Sequence, residues 1–291
     1  MLQKYGDVCE AFCLFRVICG FLKKKFVSNR VHSWFSVFCF KLLALKMLIS
    51  IITVCFNSEK TIRDTIESVL NQTYDHVEYT VVDGLSKDDT VQIAREYEQR
   101  FADKGYRYQI ISEKDNGIYD AMNKGIRMSS GEIIGIINSD DWYEPDALET
   151  VANAYKATPF DMFYVDIRII RENGSSFIKH SRLEKYPSSR CWNHPTTFIT
   201  KKTYDECGLF SCKGFYDDYD LILRVRHAGK KIVIVNKVLA NFRVGGVSNR
   251  KSLKACLNRV KDRYRCYHDN GYSCLYYFEC LATELAKLII C

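Results

Sequence analysis

The sequence has few of the patterns that indicate a membrane-spanning or a disordered chain. Only 4 of its 291 residues are proline, and no apolar run reaches the roughly 18 residues that a spanning helix needs. The longest candidate, 34–45, is too short and contains Lys41. Because 47% of the residues are hydrophobic, the chain can bury a core, which excludes a disordered or collagen-like class.

The 13 cysteines lack the spacing of a disulfide framework or a zinc site. Their number is odd, no C-x-x-C pair occurs, and nine of them lie before residue 47 or after residue 249. Disulfide-rich secreted domains and zinc sites use short, paired spacings. We therefore expect reduced thiols and a cytoplasmic location.

The net charge of +7 is concentrated at the two ends of the chain. Residues 1–46 contain eight Lys or Arg against two Asp or Glu, and residues 250–291 contain eight against four. The body, 47–249, is left with a net charge of −3. Since a nucleic-acid enzyme usually has its basic stripe on the folded body, we expect no nucleic-acid partner. Basic ends instead favour a peripheral contact with an anionic membrane surface.

Strands that alternate with helices are predicted from Met47 onward. The β-branched run 48–55 predicts a buried parallel strand, and a helical apolar pattern follows over 62–70. Further strands are expected at 79–82, 108–111 and 132–137, and further helices at 87–102 and 118–128. Ser86 with Asp89 resembles a capping box for the helix 87–102. This order predicts an α/β protein with a mostly parallel, doubly wound sheet.

The alternation weakens after Asp141. Helices are expected at 145–156, from 202 and at 217–228, strands at 162–170, 175–180, 231–235 and 238–243, and a loop at 187–195. The end of the chain reads as two helices broken at Asn270-Gly271. We divide the chain into an N-terminal extension (1–46), a main domain (47–249) and a C-terminal helical tail (250–291). The extension is either a membrane-surface segment or sequence upstream of a native start at Met47, and both interpretations stay open.

Acids or amides follow each of the first four predicted strands. They are Asn57 and Glu59, then Asp83, then Asp115 and Asn116, then Asn138, Asp140 and Asp141. Any one of them could cap a helix or form a turn, but four sets in succession indicate a ligand site at the carboxyl ends of the strands. The turn 55–58 contains no glycine, which disfavours dinucleotide-binding and P-loop proteins.

The adjacent carboxylates Asp140 and Asp141 predict a divalent metal site. Two neighbouring carboxylates at a strand end need a cation to balance their charge. Mg²⁺ or Mn²⁺ binds through one or two carboxylates together with substrate phosphates. The string Ser-Asp-Asp is weak evidence when taken alone.

Seven segments in order resemble glycosyltransferase family 2, and within it the bacterial branch that assembles polysaccharides and O-antigens. They are ISIITVCFNSEKTIRDTIESVLNQTY, VVDGLSKDDT, SEKDNGIYDAMNKGI, GIINSDDWYEPDAL, NHPTTF, GFYDDYDLILRV and FRVGGVS. The resemblance covers 47–249. It implies a GT-A nucleotide-diphospho-sugar transferase fold. It also implies an inverting transfer from a nucleoside-diphosphate sugar, usually UDP-linked, to a lipid-linked or saccharide acceptor at the inner membrane.

The resemblance also implies which residues bind the donor. The nucleotide site would be lined by Thr53, Cys55 and Asn57. Glu59 would lie near the ribose, and Asp83 would accept a hydrogen bond from the uracil ring. The residues near the sugar and diphosphate would be Asp115, Asn123 and Ser139.

The metal and the acceptor also have implied residues. Asp140 would be the direct metal ligand and Asp141 would support it. Asn138 stands where many relatives have aspartate, so the site has one negative charge fewer. Asp218 matches the family's general base, and His194 would touch the donor phosphate or the acceptor.

Two other functions stay open at this point. A catalytically inactive, nucleotide-sugar-binding scaffold of a polysaccharide assembly complex is favoured by Asn138, while Asp140 and Asp218 argue against it. A nucleotidyltransferase would share the fold logic. It would need a glycine-rich, basic phosphate loop after the first strand, and the sequence has none.

Overall fold

The computed structural model describes residues 46–245 and 253–290, so the expectations for residues 1–45, Arg250 and Lys251 lie outside the described part. The strands are β1 (Ile49–Cys55), β2 (Val77–Asp83), β3 (Arg107–Ser112), β4 (Ile133–Ile136), β5 (Trp142–Tyr143), β6 (Met162–Ile170), β7 (Ser176–Lys179), β8 (Phe198–Thr200) and β9 (Ile232–Arg243). The helices are α1 (Ile62–Leu70), α2 (Thr90–Arg95), α3 (Glu98–Asp103), α4 (Ile118–Met128), α5 (Ala147–Ala157), α6 (Lys201–Cys207), α7 (Asp217–His227), α8 (Leu253–Asp269) and α9 (Tyr276–Ile290). Two single 3₁₀ turns, Ser189–Cys191 and His194–Thr196, lie in or next to the segment predicted as a loop.

These strands form one sheet in the order β3-β2-β1-β4-β8-β6-β9-β5, with β7 paired to β6. β1 is parallel to β2 and β4, and β2 is parallel to β3. β8 is antiparallel to β4 and β6, while β9 is parallel to β6. The α/β prediction is confirmed, with the parallel arrangement concentrated in the first half of a mixed sheet. Since β1 to β4 run the same way, their carboxyl ends meet along one edge, here called the ligand edge.

Apolar side chains pack on both faces of the sheet. β1 is buried along its whole length, as expected for a β-branched strand covered on both sides. On one face, α1 buries the predicted stripe, which consists of Ile62, Ile66, Val69 and Leu70. On the other face, α4 packs so closely that a Cβ atom on Gly125 would lie 2.5 Å from Ile52 Cγ2. This approach requires glycine.

The tail forms two packed helices. The aromatic rings of Tyr267 and Tyr276 stack with centroids 4.1 Å apart, and those of Tyr264 and Tyr277 meet at 5.5 Å. The inner side of α8 and α9 joins the same core as α7 through Val260, Cys266, Tyr267 and Cys280. The break at Gly271 is confirmed, where φ is +73°. No helix in the described ranges is long and apolar enough to cross a bilayer.

Three local predictions were wrong. The helix 87–102 is two helices, because the buried Tyr97 between them donates its N–H to the Ala94 carbonyl, three residues back instead of four. Ser86 does not cap α2, since its hydroxyl donates to Asp83. The strands 231–235 and 238–243 are one strand, β9, whose pairing with β6 shifts register beside residues 165–167.

Candidate active site

The loop after β1 is tied to the loops after β2 and β4 by small polar groups. The Asn57 N–H donates to Ser86 Oγ at 2.7 Å, and Asn57 Oδ1 accepts from the Lys87 N–H at 2.8 Å. Ser58 Oγ lies 2.8 Å from Ser139 Oγ. Asn57 has a φ of 51°, a left-handed conformation that asparagine tolerates better than most residues. Asn57 and Ser139 are therefore both on the ligand edge.

The predicted nucleotide residue Asp83 is fully buried at the end of β2. Its carboxylate accepts from the Ser86 N–H at 3.1 Å, from the Ser86 hydroxyl and from Ser112 Oγ at 2.6 Å. Cys55 Sγ lies 3.7 Å from Asp83 Oδ1, and burial together with that carboxylate raises the pKa of the Cys55 thiol. Sequence reasoning missed both serine partners, because Ser86 was interpreted as a helix cap.

The side chains of two other residues that were predicted to bind the sugar donor form hydrogen bonds within the protein. Thr53 is fully buried, and its hydroxyl accepts from Tyr79 Oη at 3.0 Å. Asn123 Nδ2 donates to the Phe210 carbonyl at 2.9 Å, while Asn123 Oδ1 accepts from the Phe210 N–H at 3.0 Å. The structure therefore does not bring these two side chains to the ligand edge. Thr53 lies beneath that edge, and Asn123 holds the loop before α7.

Asp115 and Glu59 do lie on the ligand edge. A Cβ atom on Gly84 would come within 2.5 Å of Asp115 Oδ2, so Asp115 sits directly over the end of β2. Asp115 Oδ1 also accepts from the Gly117 N–H at 3.0 Å, just before α4 begins. Exposed Glu59 accepts from the Asp89 N–H at 3.3 Å. These contacts connect the loops after β1, β2 and β3.

The turn after β4 contains the predicted metal residues. Asp141 is fully buried, and its Oδ1 accepts from the Arg243 N–H at 3.1 Å. Asp141 Oδ2 and Asn138 Oδ1 are buried and lack a hydrogen-bond partner among the described residues. Burial raises the pKa of Asp140 and Asp141, and the neighbouring charge of Asp140 raises that of Asp141 further.

A divalent cation fits this turn. Buried acceptor atoms without donors are rare in folded proteins, and a cation would satisfy them. No cluster of three or more His, Cys, Asp or Glu side chains suited to a metal occurs within the described ranges. An ion would therefore be held by one or two protein oxygens, with ligand phosphates and water completing its shell.

Asp218 lies in the first turn of α7 and faces a histidine. Its Oδ2 is 3.7 Å from His194 Nδ1, and its Oδ1 accepts from the Tyr219 N–H at 2.8 Å. Burial raises the pKa of Asp218, while His194 and that N–H oppose the rise. Burial lowers the pKa of His194, and Asp218 opposes the fall. A carboxylate with a raised pKa is a stronger general base.

Tyr119 connects this pair to the rest of the site, and sequence reasoning missed it. Its hydroxyl donates to the Phe215 carbonyl at 2.9 Å, and burial with the nearby Asp218 raises the pKa of Tyr119. Tyr119 and Asn123 both belong to α4, which begins beside Asp115. One helix therefore joins the loops of the ligand edge to the loop that precedes Asp218. The only signal in the sequence was the place of Tyr119, directly after the loop that contains Asp115 and Asn116.

Two relatives of similar sequence have names from polysaccharide synthesis. The chain is 28% identical over 249 residues to the O-antigen biosynthesis glycosyltransferase WbnJ from Escherichia coli. This alignment covers 79% of this chain and 95% of WbnJ. The chain is 32% identical over 201 residues to chondroitin synthase from E. coli, which covers 67% of this chain. The match spans only 28% of the length of chondroitin synthase.

The fold is shared with a solved structure. The crystal structure of S. aureus TarS 1-349 in complex with UDP-GlcNAc matches with a TM-score of 0.57 and 18% identity, over 83% of this chain and 72% of that one. This likeness and the family match confirm the GT-A fold prediction. Residues 50–215, more than half of the chain, match the model described as glycosyl transferase family 2. The chain belongs to that family.

Proposed function

We propose that this protein transfers a sugar from a nucleoside-diphosphate sugar, UDP-linked, to a saccharide or lipid-linked acceptor in cell-surface polysaccharide synthesis. Asp218 takes the proton of the acceptor hydroxyl as that oxygen attacks the anomeric carbon. The bond from that carbon to the diphosphate breaks on the opposite face, so the configuration inverts. The proposal assigns catalysis to the domain 47–249 and treats 250–291 as a helical tail.

The observation that carries this proposal is the pairing of Asp218 with His194. Asp218 Oδ2 lies 3.7 Å from His194 Nδ1, and both side chains are largely buried. Burial weakens the acidity of Asp218, while His194 and the Tyr219 N–H keep its charged form accessible. A general base needs this balance, because it must be ionised and still bind a proton well.

The donor end of the proposal rests on the turn after β4. Asp140 would hold Mg²⁺ or Mn²⁺, with Asp141 supporting it. The cation would neutralise the charge of the departing diphosphate. The buried, unpartnered oxygens of Asp141 and Asn138 support this assignment. Asp83 would accept a hydrogen bond from a uracil ring in addition to those that it accepts from Ser86 and Ser112.

The test combines nucleotide binding with turnover. Thermal unfolding is followed with UDP or GDP, each with and without Mn²⁺, in the wild type, Asp140→Ala, Asp218→Asn and the control Asp205→Asn, whose side chain is exposed on α6. UDP at a hundredfold excess over Kd stabilises the folded state by about 2.7 kcal/mol. We expect this Mn²⁺-dependent gain to be lost only in Asp140→Ala. UDP release from a panel of UDP-sugars is lost in both site variants.

Two results would contradict the proposal. Folded wild-type protein that gains no stability from any nucleotide has no donor site. An Asp218→Asn variant that releases UDP at the wild-type rate has a different base. Nucleotide binding without turnover in every protein would instead favour the inactive scaffold, for which Asn138 is the argument.

We also propose a peripheral contact with an anionic membrane on its cytoplasmic side. The exposed side of the tail, here called the outer face, consists of Leu253, Lys254, Leu257, Lys261, Leu275, Phe278, Ala282 and Leu285. Phe278 is 66% exposed and Leu257 52%. Both lysine side chains are exposed, so they can reach anionic headgroups. An apolar stripe flanked by lysines is typical of a helix that lies in the membrane interface.

Vesicle binding tests the outer face. We expect the protein to sediment with phosphatidylcholine vesicles that contain phosphatidylglycerol, and less so as salt screens the lysines. The double variant Leu257→Glu/Phe278→Glu loses binding, whereas the control Phe177→Glu, an exposed residue of β7, keeps it. Failure of the wild-type protein to bind anionic vesicles contradicts the proposal. If the wild type is a dimer and the double variant is a monomer, a second copy of the chain covers this face.

A further inference from the structure

Residues 216–220 of the loop and first turn of α7 are held by the tail helices. The Tyr216 hydroxyl donates to Glu284 Oε1 at 2.9 Å, and the Tyr216 carbonyl accepts from Cys266 Sγ at 3.2 Å. Tyr219 Oη lies 3.0 Å from Tyr267 Oη. The start of α7 is therefore anchored to both α8 and α9 on either side of Asp218.

Asp217, the residue directly before the proposed base, is the strongest of these anchors. It is fully buried, and its Oδ1 accepts from Arg265 Nη2 at 2.6 Å. Its Oδ2 accepts from the backbone N–H groups of Lys213 and Gly214. A Cβ atom on Gly214 would lie 2.9 Å from Arg265 Nη1. One carboxylate therefore joins the loop before α7 to α8.

A buried ionic group fixes α8 against α9. Glu284 is fully buried and accepts from Arg259 Nε and Arg263 Nη2, each at 2.6 Å. Buried charges cost free energy unless their geometry is well matched, so they are weak evidence for stability alone. Here the group also holds Tyr216, because Arg263 Nη2 donates to the Tyr216 hydroxyl at 3.0 Å.

Asp218 differs from its neighbours in this run. Among the described residues its carboxylate interacts with the side chains of His194 and Tyr119, and no ion pair or hydrogen bond joins it to a side chain of α8 or α9. Asp220, two residues later, is again held by the tail, since its Oδ1 accepts from Asn270 Nδ2 at 2.8 Å. The tail thus binds the residues around Asp218, whereas the carboxylate of Asp218 faces the candidate site.

We propose that the helices α8 and α9 position the base of the reaction, with Arg265 acting through Asp217 to keep the Asp218 carboxylate against His194. This inference rests on the proposed function, in which Asp218 is the base. Arg265 is a positioning residue, because its contacts are with Asp217. The residues that carry the role lie beyond 50–215, the part that matches the family.

Loss of Arg265 leaves the Asp217 charge buried beside Gly214 without its partner. Because an unpaired buried charge costs free energy, we expect the first turn of α7 to move toward solvent. The Asp218 carboxylate then moves with this turn. Because a misplacement of about 1 Å at a reacting group can cost about 100-fold in rate, UDP release in Arg265→Met falls at least about tenfold. Arg265→Lys, which restores the charge without the planar fork, recovers part of the rate.

The decisive measurement reads the position of Asp218 without any acceptor. Full-length protein with isotopically labelled histidine is titrated by NMR, and the His194 ring signal is assigned from His194→Gln. In Arg265→Met we expect the His194 signal to move and its pKa to fall, because the contact with Asp218 opposes the lowering by burial. UDP affinity stays at the wild-type value. The control Asn258→Ala, an exposed residue of the same helix, changes neither.

The outcomes separate this inference from the proposed function. A folded Arg265→Met with the wild-type His194 signal overturns the positioning role, provided that Asp218→Asn moves that signal. If the His194 signal is unchanged in Asp218→Asn as well, the contact between His194 and Asp218 is wrong, and so is the assignment of Asp218 as the base. Should Arg265→Met fail to fold, Tyr216→Phe tests the hold of α8 and α9 on this turn with the same measurements, since it removes only the hydroxyl that binds Glu284 and Arg263.

Discussion

The side chain of Asn123 offers the most direct test of the difference between a ligand contact and a structural clamp. Both ends of its amide bind the backbone of Phe210, and Asn123 is only 4% exposed. Asn123→Ala leaves the buried Phe210 N–H without a partner, while the Phe210 carbonyl keeps only the weak donor Cys212 Sγ at 3.7 Å. An unpartnered buried N–H costs about 1–3 kcal/mol and the lost carbonyl hydrogen bond about 0.5–1.5 kcal/mol, so the free energy of unfolding falls by about 1.5–4.5 kcal/mol.

Thermal unfolding and UDP titration together decide the matter. For a protein of this size, 1 kcal/mol lowers Tm by about 2–4 °C, so the loss is easily measured. The control Asn71→Ala removes an exposed amide and changes stability by about 0.5 kcal/mol or less. We expect folded Asn123→Ala to bind UDP with wild-type affinity. Full stability combined with lost UDP binding would refute the clamp and restore the ligand contact.

Three further predictions concern the ends of the sheet and the base. Burial would raise the pKa of Glu78, but hydrogen bonds from nearby serine and backbone groups hold it below its usual value. Glu78→Gln therefore lowers the free energy of unfolding by about 1–3 kcal/mol at neutral pH. This difference in stability between variant and wild type shrinks as acid protonates Glu78, and a difference that does not change with pH contradicts the prediction. Gly84→Ala displaces Asp115 from the ligand edge and weakens UDP-induced stabilisation in thermal unfolding, whereas unchanged UDP binding places Asp115 outside the donor site. His194→Gln removes a group that opposes the raised pKa of Asp218, so the acidic limb of kcat/KM for UDP release moves to higher pH, and an unmoved limb argues against Asp218 as the base.

The sequence predicted the first half of the fold well because its signals are local. The β-branched run of β1 and the apolar stripe of α1 each determine their own element within a few residues. The acids and amides follow their strands directly, so parallel strands bring Asn57, Asp115 and Asp140 to one edge. Helix 87–102 was wrong because the backbone tightens at Tyr97, whose N–H donates to the carbonyl of Ala94 and not to that of Ile93, and the apolar pattern does not show this turn.

The sequence by itself determined which residue types reach the ligand edge, and it identified the family through motifs that are contiguous in the chain. Only the tertiary structure decided how those side chains are used. Asn123 binds Phe210, 87 residues away, and Arg265 binds Asp217, 48 residues away. Hydrogen bonds and ion pairs act over about 3 Å. Whether a polar group is free for a ligand therefore depends on which distant segment folds beside it.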